Sequence, residues 1–322
     1  WENRADRETA NQLHQVLIDQ FIASFKRAPR RLILDFDATD DRVHGMQEGR
    51  FFHGYYDHYC FLPLYVFCGS QLLVSYLRPS KIDAAKHAWA ILALLVKRLR
   101  QQWPKVRILF RADSGFCRWR MLSWCERNKV DYVVGIARND RLNAQAKPFL
   151  QAAQSAFETS GRKQRRFHVM YYAAHSWNQR RRIIVKAEHS AKGSNPRYLV
   201  TNLVVDSKYL YDRVYCARGD MENRIKEQQL DLFADRTSCH AWWSNQFRLL
   251  LSSLAYTLLE AIQRLALQNT ELANVYVGTL RLKLLKIGAV ILRNTRRVRF
   301  LLSCAYSYQQ LFSHAAAKLK PT

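Results

Sequence analysis

Hydrophobic positions along the chain change rhythm several times, and each rhythm predicts an element. Leu13, Val16, Leu17, Phe21 and Phe25 fall at helical spacing within residues 9–25, so a helix is expected there. "APRR" (Ala28 to Arg31) breaks it. "RLILDFDATDD" then reads as a short buried strand that runs out into acids. Between Phe61 and Leu77 two β-rich runs flank Gly69-Ser70, a hairpin signal. "SKIDAAKHAWAILALLVKRLRQQW" predicts a long amphipathic helix with Ser80 as N-cap and Pro104 just past its end. "KVRILFRAD" predicts a strand, "FCRWRMLSWCERN" a helix and "VDYVVGIA" a strand.

The order strand, hairpin, helix, strand, helix, strand implies a mixed α/β layout with a sheet covered by helices. It matches the ribonuclease-H-like sequence of elements β, β, β, α, β, α, β. Residues 141–214 differ: a polar start gives way to basic "GRKQRR" and "NQRRR", interleaved with strand-like "RFHVMYYA", "RRIIVKAEH" and "RYLVTNLVV". This reads as a β-rich, basic insertion. From about Lys208 the pattern is mostly helical, with "NQFRLLLSSLAYTLLEAIQRLAL" long and largely buried, and "RLKLLK" and "RNTRRVR" as late basic patches. The expected division is an N-terminal helix (1–30), a first part of the core (31–140), the insertion (141–214), and completion of the core plus C-terminal helices (215–322). A chain that opens at Trp1 without Met is expected to be a fragment, its first helix the remnant of a missing N-terminal region.

Charge narrows the function. The 322 residues carry a formal net charge of +25, and 48% are hydrophobic, enough for a real core. A folded protein so far from neutrality calls for a polyanionic partner, nucleic acid first and an anionic membrane surface second. The longest apolar run, Ala88 to Val96, is too short to span a bilayer, and no secretory signal opens the chain. None of the seven cysteines forms a CxxC pair, which argues against a zinc knuckle or a disulfide framework and for a reducing compartment.

Three acidic stretches carry candidate chemistry. "DFDATD" and "RADSGF" each end a strand, where α/β sheets build sites. Neighbouring carboxylates there repel each other unless a cation such as Mg²⁺ relieves them. The third stretch is "ARGDMENRIKEQ". At about 100° per residue, Tyr215, Arg218, Glu222, Lys226 and Gln229 form one polar stripe beside an apolar stripe of Met221, Ile225 and Leu232. Docking of the apolar stripe on the sheet would turn Glu222 toward the site. Asp220, Arg224 and Glu227 fall on the far side as solvated charge.

In this order "DFDAT", "ADSGF" and "YCARGDMENRIKEQ" resemble the active-site blocks of DDE-type transposases from bacterial insertion sequences. Tyr215, Arg218 and Glu222 fit the Tyr-Arg-Glu-Lys signature, but Gln229 stands where the signature Lys is expected, with Lys226 nearby. "EGRFFHGYYDHYCFLPLYVF" and "ADRTSCHAWWSNQFRLLLSSLAY" bring the resemblance to the insertion-sequence-1380 type. It implies a ribonuclease-H-like fold with an insertion before the third carboxylate. It also implies a catalytic, metal-holding triad of Asp37, Asp113 and Glu222 with two Mg²⁺ ions (Mn²⁺ as substitute), cleavage of double-stranded DNA at transposon ends, and strand transfer into target DNA. A homodimer on DNA, in the bacterial cytoplasm at the nucleoid, is implied too. Two other functions stay open: a catalytically silent, truncated DNA-binding protein, and a ribonuclease-H-like nuclease.

Each residue also has a plainer reading. Asp37 fits the family's Asp-x-Thr as Asp37-Ala38-Thr39, while Asp35, on the same strand face, is the alternative, and Asp40 and Asp41 suit a turn. Asp113 alone would be a helix N-cap, and Glu222 alone a solvated acid. Tyr215, Arg218, Lys226, Arg165, Arg166 and Arg181 are the expected DNA-contacting or supporting residues. "HGYYDHYC", with His53, Asp57 and His58, suits the rim of a hairpin better than a metal site. Trp177 or Tyr198 of the insertion is a candidate to stack on a flipped base, against a commoner core role.

Overall fold

The computed structural model describes residues 2–320; Trp1, at which the chain opens, lies outside them. The first helix, α1 (Arg7–Ala23), is capped by Asp6, whose carboxylate accepts from the Thr9 amide, and buries Leu17, Ile18 and Phe21. The strands follow as β1 (Arg31–Ala38), β2 (Asp41–Arg42), β3 (Phe51–His53), β4 (His58–Phe61), β5 (Leu64–Cys68) and β6 (Gln71–Tyr76). Next come α2 (Ala88–Gln102), β7 (Arg107–Ala112), α3 (Trp119–Arg127), β8 (Asp131–Ile136) and α4 (Asp140–Ser160). The region before the third acid adds β9 (Gln164–Tyr172), β10 (Arg181–Ser190), β11 (Gly193–Ser194) and β12 (Arg197–Thr201).

The main sheet runs β6-β5-β1-β7-β8, with β1, β7 and β8 parallel and β5 and β6 antiparallel. That is the ribonuclease-H-like order, third-second-first-fourth-fifth. The sheet does not stop there. β12 pairs antiparallel with β8, and β10, β11 and β9 continue outward, giving one nine-stranded sheet. The basic stretch therefore extends the core sheet. It opens with α4, capped by the Asn139 side chain and closed by Gly161 in a left-handed conformation.

Strand alternation decides what each face does. On β1, Leu32, Leu34 and Phe36 join Ile108, Phe110 and Ala112 in a core under α1, α2 and α3. Ile33, Asp35 and Asp37 face the other way, with Leu109 and Arg111 of β7. A helical run over residues 207–231 covers that second face, burying Leu210, Tyr211 and Val214 against Leu109, Val133 and Ile184, and Met221 and Ile225 against Tyr65, Phe67 and Tyr256. The long helix Trp242–Ala266 completes this layer.

Two elements depart from the sequence reading. The helix expected from Ser80 begins at Ala88. Arg78 is fully buried, and its guanidinium takes the carbonyls of Leu62, Ala84 and Lys86, which holds residues 79–87 out of a helix. Ser80 instead donates to the Phe51 carbonyl at 2.8 Å. The late basic patch "RNTRRVR" is the turn of a hairpin, β13 (Ala289–Arg293) and β14 (Val298–Leu302), whose strand residues are all exposed. All seven cysteines are unpaired. Among the described residues no helix is long and apolar enough to cross a membrane.

Candidate active site

The β1 and β7 register aligns Phe36 with Ala112. Asp37 and Asp113, the next residue of each, leave the two strand ends side by side, since neighbouring strands lie about 4.8 Å apart. Beyond β7 the chain turns at once: Asp113 Oδ1 accepts from the Gly115 amide at 2.9 Å and caps the 3-10 turn Ser114–Phe116. The N-cap reading of Asp113 thus holds, and the cap occupies one carboxylate oxygen. Gly135 of β8 makes room beside this turn. A Cβ there would come within 2.7 Å of the Tyr215 hydroxyl and 2.9 Å of the Ser114 amide nitrogen.

Asp35, the alternative first acid, is committed elsewhere. Its two oxygens take both arms of the Arg111 guanidinium, the Nη2 to Oδ2 contact at 2.6 Å, and both side chains are buried. Arg111 Nη1 donates to the Val214 carbonyl of the covering helix. That carbonyl lies in a π-helical turn, Leu210–Tyr215. A π turn widens the ladder, and the Arg111 bond docks the helix on the strand one residue before Tyr215 and one turn before Arg218.

Arg218 links the outer acids. Its Nη1 donates to Asp37 Oδ2 at 2.9 Å and its Nη2 to Glu222 Oε1 at 2.5 Å. Asp37 keeps 15% of its side chain exposed and Glu222 48%, so the pair sits at the mouth of the sheet. Burial pushes the Asp37 carboxyl up to about 6; the Arg218 charge works against this, while Asp113 and Glu222 add to it. Burial opposes the Arg218 charge as well, but Asp37, Glu222, Tyr215 and Asp113 together raise its pKa above the ordinary value. Asp37, Asp113, Glu222, Arg218 and Tyr215 therefore share one electrostatic neighbourhood.

These donors are all oxygens, the set a hard divalent cation takes, and Asp37 is a largely buried acid whose charge a cation would stabilise. Among the described residues, no group of three or more His, Cys, Asp or Glu stands ready to hold an ion. Arg218 fills the space between Asp37 and Glu222 instead. The chemistry of the set fits a divalent ion once Arg218 gives up its acids.

The remaining expectations divide. Met221 and Ile225 are buried as the stripe predicts, and Lys226 is exposed. Arg224 and Glu227, expected in solvent, have partners: Arg224 Nη1 donates to the Tyr256 hydroxyl and Glu227 Oε2 accepts from the Val277 amide. A second π turn, Glu227–Asp231, follows. Gln229 Nε2 donates to the Asp40 carbonyl at 3.0 Å, so the residue in the signature Lys position braces the loop after β1. Arg165 and Arg166 are exposed, Arg165 paired with Asp212. Arg181, expected to meet DNA, is instead 3% exposed and bound to Glu126, Ser123 and Asn178, because its β10 position faces the core. Tyr198 is also buried, its hydroxyl on Asn143, and the half-buried Trp177 packs between Tyr172 and Arg181, so both insertion aromatics take part in packing.

"HGYYDHYC" lies on the hairpin of β3 and β4, the hairpin rim that its spacing suggests, and the structure brings this hairpin to the site. His58 Nε2 meets Asp40 Oδ2 at 2.9 Å. Tyr56 lies near enough that burial, then the charges of Asp40 and Asp37, push its hydroxyl up to about 12. Asp41 is buried on β2 with the Thr237 hydroxyl on Oδ2, and burial, with Asp235 and Asp40 adding, raises it to about 7. The signal in the sequence was the density of aromatic and His residues in "HGYYDHYC".

A family model described as Transposase DDE domain group 1 matches residues 1–322. No curated protein matches the chain. Among solved structures, the piggyBac transposase in a synaptic complex with hairpin DNA is similar at a TM-score of 0.42 and 13% identity, over 79% of this chain. The chain spans 53% of that protein's chain.

Proposed function

The chain belongs to the transposase DDE domain group 1 family, and from that premise we propose that it cuts and joins DNA with Asp37, Asp113 and Glu222. The observation that carries this reading is the register of β1 and β7, whose last pair, Phe36 and Ala112, stands one residue before Asp37 and Asp113, with Glu222 tied to Asp37 through Arg218. Asp35 is a poor rival because Arg111 holds both its oxygens.

The three acids would hold divalent ions, two of them, with Mg²⁺ as the natural ion and Mn²⁺ as substitute. When bound, such ions activate the attacking hydroxyl and stabilise the leaving oxygen of an in-line displacement at phosphorus. The chain's own part is positioning and charge. Arg218, released from Asp37 and Glu222, is free to meet a phosphate, and Lys226 lies two turns along the same helix, exposed to solvent. The Tyr215 hydroxyl sits against the turn that presents Asp113. Arg165 and Arg166 offer backbone contacts farther out on the sheet. No covalent protein nucleophile is required. Transposon ends and target DNA are the substrates of this reading, and a homodimer bridging two ends is its assembled form.

The test is incubation of the chain with DNA bearing candidate terminal inverted repeats, plus Mg²⁺ or Mn²⁺, read on a denaturing gel for nicks, hairpins and joined products. Asp37→Asn, Asp113→Asn and Glu222→Gln should each abolish cleavage while DNA affinity stays largely intact. Full activity in any one variant removes that residue from the site. Binding without cleavage by the unaltered chain would favour a silent DNA-binding protein.

A further inference from the structure

The hairpin of β3 and β4 is anchored at its base and open at its tip. Ser80 on the Phe51 carbonyl fixes its base, and His58 on Asp40 fixes the last strand pair before the turn. The loop leading into it is fixed too: the Glu48 carboxylate accepts from the Trp242 amide at 2.9 Å. Gly49, at φ +79°, lies so close to the Trp242 ring that a Cβ would come within 2.6 Å of it.

Alternation sorts the strand residues. Phe51 and Cys60 pair on one face, as do His53 and His58, the face turned to Asp40. Phe52 and Tyr59 pair on the opposite face, both exposed, with rings 5.7 Å apart and the Arg50 guanidinium 4.4 Å from the Tyr59 ring. At the tip Tyr55 is 85% exposed, and its ring meets Tyr56 edge-on at 5.0 Å. The Tyr56 ring in turn lies 4.9 Å from that of His53 and 6.1 Å from that of His58, which meets Asp40 at 2.9 Å. A file of rings thus runs from the acids to solvent.

The cross-strand pair Phe52–Tyr59 is accounted for by hairpin stability. Tyr55 is not, since it buries almost nothing. Aromatic faces interleaved with Arg, on a chain of net charge +25, form a surface suited to unpaired nucleic acid, where bases stack on rings and cations meet phosphates. Paired bases are stacked inside a duplex and cannot reach such rings. Resting on the DNA-cleaving role proposed above, we propose that this hairpin, with Tyr55 as principal ring, stacks an unpaired base of the DNA next to the cleavage site.

The test uses the full chain without divalent metal and two DNA probes of the same duplex. One carries 2-aminopurine in a short single-stranded overhang, the other within the paired region. The chain should bind the overhang probe with quenching of its fluorescence. Tyr55→Ala should abolish the quenching and weaken overhang binding about ten-fold, the weight of one stacked base. It should leave the paired probe and the thermal unfolding curve unchanged, and Tyr55→Phe should behave as the unaltered chain. Overhang binding untouched in Tyr55→Ala, or an equal loss on both probes, overturns the stacking role while the function stands. Failure of the unaltered chain to bind either probe removes both.

Discussion

Two acids on one face of one strand, Asp35 and Asp37, each meet an arginine, and the two pairs do opposite work. The inner pair is closed: Arg111 gives two bonds to Asp35 and a third to the Val214 carbonyl, away from water. The outer pair is shared: Arg218 divides itself between Asp37 and Glu222, and Glu222 is half in solvent. Burial pushes the carboxyl up in both. The difference is that one arginine has no reason to leave and the other has partners it can exchange. Moving two residues along a strand turns a closed, buried ion pair into one whose arginine is shared with a half-exposed acid.

The largest effect expected from this contrast is on cleavage. Asp37→Asn should lower metal-dependent DNA cleavage by about 10³-fold or more, the scale of several kcal/mol of lost transition-state stabilisation. Its unfolding should remain cooperative. Asp35→Asn should act mainly on stability; an Asp35→Asn protein that stays folded yet loses cleavage as completely as Asp37→Asn would break the distinction.

Stability sharpens it from the arginine side. Arg111→Ala should cost about 3–5 kcal/mol by stranding a buried carboxylate. Arg218→Ala should cost no more than about 1 kcal/mol, because Asp37 can take up a proton and Glu222 is solvated. Urea unfolding at pH 7 decides between these values, and equal losses would contradict the account.

A pH series gives the next effect. The Asp37 carboxyl titrates at about 6 in the fold, against about 3.9 in an unfolded chain. The folded state therefore holds the extra proton between these values, and stability falls as pH rises from about 4 to 6. Asp37→Asn should remove that fall and gain on the order of 2 kcal/mol above pH 6, with little change below pH 4. A variant that keeps the full decline would show that Asp37 is not held as described. Asp41, raised to about 7, adds a second decline reaching higher pH, which Asp41→Asn should remove separately.

The smallest effect carries the same inside-versus-mouth contrast to the outer sheet. Arg166→Ala should reduce the salt slope of DNA binding by about one and leave stability alone. Arg181→Ala should lower stability and leave the slope unchanged. Binding measured at several salt concentrations separates them.

Much of this was legible in the chain before the fold was known. The alternation in "RLILDFDA" puts Asp35 and Asp37 on one face, and "RADSGF" announces a strand that turns at once. Those periods are local, and local sterics enforce them. What was hidden depends on partners distant in sequence. The helix after Ser80 is displaced because Arg78, buried by tertiary packing, claims three carbonyls. Arg181 looked like surface charge because its acid, Glu126, lies 55 residues away. Two π turns flank the helix that carries Glu222, and Arg224 and Glu227, which a constant 100° period puts in solvent, meet Tyr256 and the Val277 amide, partners distant in sequence. That the β-rich stretch before Glu222 pairs with β8 was hidden, because strand pairing leaves no mark in either segment alone.

The central claim is that Asp37, Asp113 and Glu222 act together as a seat for divalent ions when Arg218 lets go. Titration of Mn²⁺ into the chain, followed by electron paramagnetic resonance, tests it without needing the DNA sequence. The account predicts saturable Mn²⁺ binding that disappears in the combined Asp37→Asn, Asp113→Asn, Glu222→Gln variant and survives in Asp35→Asn. Mn²⁺ bound as tightly by the triple variant as by the unaltered chain would contradict it.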